Sequence, residues 1–181
     1  PRQNRSPILP GPADETDLPM EITPVAPADR EALIQLAVDT ELFTDEEARA
    51  LLGGVLDGLA SSVLAEGHAA VCCRTQVDQA PGGWCYFAPD DHAAGVWNLW
   101  WIGVSPHRHG AGVGRALLHH VEETVRAAAG RLLVIETSES DKLARARRFY
   151  TAQGYTECGR VPDFYGEGEA KVIFARRLGR A

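Results

Sequence analysis

The stretch His107–Leu118, HRHGAGVGRALL, is the part of the sequence from which the fold is most readily inferred. It follows an apolar run that ends at Val104 and precedes apolar residues at helical spacing, which predicts a tight turn between a strand and a helix. Glycines at alternate positions, Gly110, Gly112 and Gly114, let the backbone turn sharply and bring several N–H groups together. Because the dipole of the following helix also favours negative charge, we expect this loop to bind a phosphate.

The glycine pattern of this loop differs from the two common nucleotide-binding motifs. It is neither GxxxxGK followed by Ser or Thr nor GxGxxG, so neither a mononucleotide P-loop nor a dinucleotide fingerprint is matched. A glycine-rich turn without a ligand is the alternative interpretation, because short glycine motifs also occur outside phosphate sites. The prediction of a phosphate site therefore depends on the strand and the helix on either side of the loop.

Apolar periodicity upstream of the loop predicts both helices and strands. The predicted elements are a strand near Glu21–Val25, helices over Ala28–Thr40 and from Thr44 to about Leu59, and strands over His68–Val77, Gly83–Pro89 and Val96–Val104. The second helix has a clear start signal, because Thr44 and Glu47 form a capping box. The last three strands are expected to pair as an antiparallel meander.

Downstream of the loop the pattern alternates between helix and strand. The predicted elements are a helix over about Gly112–Ala128, a strand over Leu132–Ile135, a helix over about Lys142–Gln153, and strands near Thr156–Val161 and Lys171–Leu178. Because the run Leu132–Ile135 is apolar throughout, we expect it to be buried on both faces of a sheet. Together the elements predict an α/β fold, with a mixed central sheet of about six to seven strands flanked by about four helices.

Length and composition favour a single domain. A chain of 181 residues with 45% hydrophobic content can build one core, and a second domain is not expected. Residues 1–19 are rich in proline and polar residues and predict a flexible tail, whereas residues 20–181 are expected to form the domain. Met20 is a candidate initiator.

The charge and the hydropathy of the chain exclude several classes of function. A formal net charge of −7 argues against a nucleic-acid partner and suits a cationic one. No apolar run approaches the ~20 residues needed to span a membrane, and the first residues lack the pattern of a secretory signal. The four cysteines include no CxxC pair, and His107 and His109 have no nearby third ligand, so no metal site is expected. We therefore expect a cytoplasmic protein with reduced thiols.

Three segments of the sequence resemble the GNAT superfamily of N-acetyltransferases. The family signature, Gln/Arg-x-x-Gly-x-Gly/Ala, corresponds to His109, Gly110, Ala111, Gly112, Val113 and Gly114, with His109 in place of Gln or Arg. The segment NLWWIGVSP, Asn98–Pro106, is similar to the fourth strand of the family. The segment ARRFYTAQGY, Ala146–Tyr155, is similar to the family's Ala-x-x-Phe-Tyr-x-x-x-Gly-Tyr/Phe helix, although Leu143 replaces the usual Asn before it.

The resemblance implies an enzyme that uses acetyl-CoA as co-substrate and acetylates a primary amine of a small molecule or peptide by direct attack. It implies that the backbone amides of the glycine loop bind the pyrophosphate of coenzyme A. It also implies that the fourth strand splays from the fifth, so that Ile102, Gly103 and Val104 offer backbone groups to the pantetheine arm. If the imidazole of His109 approaches the bound pyrophosphate, the anion should raise its pKa.

Two residues are candidates for proton transfer. An ammonium cannot attack a thioester, so a carboxylate acting directly or through water would remove its proton, and Glu136 stands where family members often carry such a base. Tyr150 matches the family's general acid, because a phenol stays protonated at neutral pH and can donate to the leaving thiolate. The alternatives are a structural carboxylate paired with an arginine or capping a helix at Glu136, and a core tyrosine beside Phe149 at Tyr150.

Other functions and the acceptor site stay open at the level of sequence. The departures at His109 and Leu143 are compatible with a coenzyme-A-binding regulatory module without catalysis, and the scaffold also allows acyl transfer to another acceptor. The loop Pro162–Glu169 is a candidate for holding a cationic amine, or is a solvated hairpin connection. Strand alternation places Trp97 and Trp101 on one face and Trp100 on the other. The sequence is compatible with a monomer or a homodimer.

Overall fold

The structure is a computed structural model that describes residues 20–61, 66–75 and 80–179. The predicted tail, residues 1–19, lies outside this range. In the described part of the chain, one seven-stranded sheet carries four α-helices, which confirms the predicted α/β fold. None of the helices described is long and apolar enough to cross a membrane.

The elements follow the predicted order closely. The strands are β1 Met20–Pro24, β2 Ala69–Thr75, β3 Gly83–Pro89, β4 Val96–Val104, β5 Leu132–Ser138, β6 Thr156–Gly166 and β7 Glu169–Arg177. The helices are α1 Arg30–Asp39, α2 Asp45–Ala60, α3 Val113–Ala127 and α4 Ala144–Ala152. The predicted capping box starts α2, since Thr44 Oγ1 accepts from the Glu47 amide and Glu47 accepts from the Thr44 amide.

The sheet has the order β1-β2-β3-β4-β5-β7-β6, and only the β4–β5 pair is parallel. The antiparallel meander of β2, β3 and β4 is confirmed. Pairing between β4 and β5 runs from Val96 opposite Leu132 to Leu99 opposite Ile135 and stops there, although both strands continue. The strands therefore separate toward their carboxyl ends, and the edge of β4 that faces β5 is unpaired beyond Leu99.

Two hydrophobic cores lie on opposite faces of the sheet. One face packs against α3, whose residues Val113, Leu117, Val121 and Val125 are all buried, as their four-residue spacing predicts. The other face packs against α1 and α2, with Trp84 fully buried between them and the sheet. The helices packed on the two faces fix the sheet, and with it the separation between β4 and β5.

The predicted positions of the tryptophans are wrong, because β4 contains an irregular residue. Trp101 pairs with Tyr86, whereas Leu99 pairs with Phe87, so Trp100 is an extra residue in the ladder. This bulge shifts the alternation by one residue. As a result Trp97 lies in the α3 core and Trp101 packs on the α1–α2 side, while Trp100 is 56% exposed.

Two further predictions differ from the structure. In β5, Leu133 and Ile135 are buried in the α3-side core, but Leu132 and Val134 point to the other face of the strand and are only half-buried. The predicted loop Pro162–Glu169 is largely strand, since β6 continues to Gly166 and only a short turn joins it to β7.

Candidate active site

A cavity of about 520 Å³ opens where β4 and β5 separate. It is bounded by the glycine loop, the unpaired end of β4, α4 and the connection between α1 and α2. This volume lies within the range of about 300–1,000 Å³ that is typical of small-molecule sites. Ile102, Gly103 and Val104 all line it, so the structure brings the predicted strand residues and the predicted loop to one place.

The glycine loop presents unpaired backbone amides. Gly110 and Gly112 have φ angles of +88° and +85°, a left-handed conformation that favours glycine. Within the described residues, the amides of Gly110, Gly112, Val113 and Gly114 have no acceptor. Because the last of these belong to the first turn of α3, they point out of the helix with the positive end of its dipole.

Two amides of the predicted loop are already used. His109 donates its amide to the Pro106 carbonyl at 3.2 Å, and Ala111 donates to the Arg108 carbonyl at 3.3 Å. The set of backbone donors is therefore smaller than the signature alone predicts.

Cations surround the cavity, and none of its lining residues is acidic. The lining cations are Arg108, Arg115, Lys142 and Arg145. Other arginines are neutralised, as Arg160 is by Glu139 and Glu157. For Arg115, Lys142 and Arg145, in contrast, no ion pair forms with any described carboxylate. The cavity therefore carries net positive charge in a chain whose overall formal charge is −7.

Both ring nitrogens of His109 are engaged by the protein. Nε2 lies 3.2 Å from the Val104 carbonyl oxygen, and Nδ1 lies 2.9 Å from Nη1 of Arg145. Desolvation and the charge of Arg145 lower the pKa of His109. The imidazole thus contacts a neighbouring arginine and a strand carbonyl.

Tyr150 lines the cavity from α4 and is buried. Its ring packs among Phe149, Tyr155 and Phe174, with centroids 5.6 Å, 6.4 Å and 5.6 Å away. No described residue forms a hydrogen bond with its hydroxyl. Burial raises the pKa of the Tyr150 phenol well above its usual range, so the hydroxyl keeps its proton at neutral pH.

Contacts on both sides fix the position of α4. Arg147 donates to the carbonyls of Ser138 and Ser140, at 2.6 Å and 2.8 Å, which ties the helix to the end of β5. After the helix, Tyr155 donates to the buried carboxylate of Glu122 at 3.0 Å. Tyr150 is therefore held between two anchored segments.

Glu136 lies outside the cavity. Its side chain is 37% exposed, and Oε2 accepts a hydrogen bond from Lys171 Nζ at 2.7 Å. Lys171 also lies over the ring of Phe164, 3.7 Å from its centroid. The structure therefore does not place Glu136 among the residues that line the Tyr150 cavity, and its partner is a lysine rather than an arginine.

Two of the three acidic residues of the predicted loop Pro162–Glu169 form local hydrogen bonds. Asp163 accepts from the Gly168 amide at 2.8 Å and closes the β6–β7 turn, and Glu169 accepts from Ser138. Phe164 and Tyr165 are about half exposed beside them. No group of three or more metal-ligating side chains occurs in the described ranges.

Sequence reasoning missed Arg115 and Arg145 as residues of the site. For Arg145 the signal was present in the basic segment Lys142–Arg148, KLARARR, which ends two residues before Tyr150. Which of these cations face the cavity depends on how α4 packs against the glycine loop, and periodicity alone does not determine that.

Comparisons with known proteins agree with this geometry. A sequence profile described as "Acetyltransferase (GNAT) domain" matches residues 64–157. No curated protein sequence gives a significant match. A GNAT-family protein from Desulfovibrio desulfuricans is 31% identical, with a TM-score of 0.78, over 90% of this chain and 99% of that one.

Two more distant structures share the fold. The ribosomal-protein-S18-alanine N-acetyltransferase from Escherichia coli is 18% identical, with a TM-score of 0.67, over 90% of this chain and 96% of that one. An aminoglycoside 6′-N-acetyltransferase complexed with coenzyme A is 16% identical, with a TM-score of 0.67, over 89% of this chain and 98% of that one. Because the profile matches residues 64–157 and the 31% identity extends over 90% of the chain, the chain belongs to the GNAT acetyltransferase family.

Proposed function

We propose that this enzyme transfers the acetyl group of acetyl-CoA to a primary amine of a small molecule or peptide by direct attack of the amine. The observation that carries the proposal is the composition of the cavity. One end offers unpaired amides and unneutralised cations, the middle offers a free strand edge, and α4 places a protonated phenol at the wall.

The residues present fit acetyl-CoA in two respects. Its phosphates match the amides of Gly110, Gly112, Val113 and Gly114 and the cations Arg115, Lys142 and Arg145. Its amide-containing arm matches the β4 edge at Ile102, Gly103 and Val104, where no strand competes for hydrogen bonds. When bound, acetyl-CoA supplies the activated acetyl thioester.

We assign the proton donor role to Tyr150. Tyr150 lines the cavity and its hydroxyl has no described partner, so donating to a leaving sulfur would break no internal hydrogen bond. Because the phenol is protonated over the whole neutral range, Oη can give its proton to the departing thiolate.

Glu136 is the proposed base. Lys171 occupies Oε2, but no described group bonds to Oε1, which is free to accept a proton. Since Glu136 lies outside the cavity lining, the proton of the attacking amine would reach Oε1 through water.

The test is release of free thiol from acetyl-CoA on addition of candidate acceptors. The panel spans polyamines, amino acids, aminoglycosides and peptides with free N-termini, and mass spectrometry identifies the acetylated product. Amine-dependent thiol release with a stoichiometric N-acetyl product supports the proposal. Coenzyme A binding without release with any acceptor would favour the non-catalytic module, and an O-acetyl product would favour the other acyl-transfer alternative.

A further inference from the structure

Arg145 at the cavity wall is held by an imidazole instead of a carboxylate. Its Nη1 lies 2.9 Å from His109 Nδ1, and no described acidic residue pairs with it. Arg126, by comparison, contacts the carboxylates of Glu122 and Glu123. A carboxylate partner would neutralise the guanidinium, whereas a neutral imidazole holds it and leaves its charge available to a ligand.

The two contacts of His109 define one protonation state of the ring. A guanidinium only donates, so Nδ1 must be the acceptor toward Arg145. A carbonyl oxygen only accepts, so Nε2 must carry the proton that is donated to Val104. Only the neutral imidazole protonated at Nε2 satisfies both partners at once.

We propose that His109 is a positioning residue that holds Arg145 toward the phosphates bound at the glycine loop, and that it does so only while its imidazole is neutral. The inference rests on the proposed binding of acetyl-CoA. It also accounts for the departure from the family signature, because the side chain of His109 acts through Arg145 while the backbone amides of the loop bind the anion.

The surroundings of His109 fix the sign of the pH dependence. From α4 it faces Arg145, from β4 it faces the Val104 carbonyl, and the other charged residues lining the cavity are the cations Arg108, Arg115 and Lys142. Desolvation and the charge of Arg145 lower the pKa of His109 below its usual value. The contribution of the pair to binding requires the neutral imidazole and is lost as the pH falls and the ring is protonated, because a proton on Nδ1 removes the acceptor for Arg145 and places a like charge beside it.

A double-mutant cycle tests the coupling. Dissociation constants for coenzyme A are measured at about pH 8 for the parent, His109→Ala, Arg145→Gln and the double variant, with thermal melting to check folding. Because both side chains are exposed, each single substitution should weaken binding about two- to fivefold. The double variant should bind no more weakly than Arg145→Gln alone. Additive losses would show that His109 acts independently of Arg145 and would overturn the inference.

A conservative variant and a matched control separate positioning from a general structural effect. His109→Gln can accept from Arg145 and donate to Val104 but does not titrate, so it should restore the affinity lost in His109→Ala. His107→Ala removes an exposed histidine of the same segment that does not line the cavity, and its binding should follow the parent at every pH.

The pH profile is the decisive readout. The ratio of the parent dissociation constant to that of His109→Gln should rise from about one at pH 8 to about two- to fivefold at pH 5.5. The phosphomonoester of coenzyme A, with a pKa near ~6, titrates in both proteins and cancels in this ratio. A constant ratio, or tighter binding by the parent at low pH, would overturn the inference while leaving the proposed function intact. If the parent bound no coenzyme A at any of the pH values, both the inference and the proposed function would be overturned.

Discussion

At the scale of single residues, the hydroxyl of Tyr150 differs in its contacts from the hydroxyl of Tyr155, the next buried tyrosine along the chain. The Tyr155 hydroxyl donates to Glu122, whereas the Tyr150 hydroxyl has no described partner and the residue lines the cavity. We therefore expect Tyr150→Phe to lower kcat by ~10²-fold or more, with little change in coenzyme A affinity or melting temperature.

Tyr155→Phe is the matched control for Tyr150. It loses a buried hydrogen bond and should lower stability by about 1 kcal/mol while kcat changes much less. Steady-state kinetics, ligand titration and thermal melting of both variants measure these effects. Equal turnover of Tyr150→Phe and the parent would remove Tyr150 from the mechanism.

The carboxylate of Glu136 has a testable chemical role distinct from its ion pair. Glu136→Gln should reduce the rate at neutral pH and recover part of it at high pH, where more of the acceptor amine is already unprotonated. Lys171→Met breaks the same pair but keeps the carboxylate, and should retain the parental pH profile. The pH dependence of kcat/KM for both variants checks this. The same loss at every pH in both variants would show that only the pairing matters.

At the scale of elements, the close contact of α3 with the sheet depends on Gly83. A Cβ at this position would lie 2.7 Å from Val113 Cγ1 and 2.9 Å from the Gly103 carbonyl oxygen. Since α3 carries the loop amides, Gly83→Ala should lower the free energy of unfolding by about 1–3 kcal/mol and weaken coenzyme A binding.

Gly54→Ala is the control for this steric argument. Gly54 lies on the exposed side of α2, and a Cβ there would meet no described atom within 4 Å, so alanine should stabilise the protein by about 0.5–1 kcal/mol. Urea denaturation and ligand titration measure both variants. Equal stability of Gly83→Ala and the parent would mean that α3 can shift without cost.

Elements with a strong local signal were predicted well from the sequence. The capping box at Thr44, the buried stripe of α3 and the meander are each encoded by neighbouring residues. The bulge at Trp100 and the continuation of β6 past Pro162 were missed. Both depend on pairing with another strand, and a single-strand pattern contains no information on its partner.

At the scale of the whole molecule, a negatively charged chain surrounds a cavity lined by cations. Salt shortens the screening length from ~30 Å at 0.01 M to ~10 Å at 0.1 M. We expect the affinity for coenzyme A to fall as salt is raised over this range. Pantetheine, which lacks the phosphates, should show little salt dependence in the same titration. Equal salt dependence of the two ligands would contradict a phosphate role for these cations.

The sequence by itself determined the order of the elements, the glycine loop at the start of α3 and the identity of Tyr150 and Glu136 as candidates, because caps, periodicity and short motifs are local properties of the chain. Only the tertiary structure decided that Arg145 meets His109, and that Glu136 pairs with Lys171 outside the cavity. These contacts join residues far apart in sequence, and they exist only because α3, α4 and the strands pack at particular angles and registers.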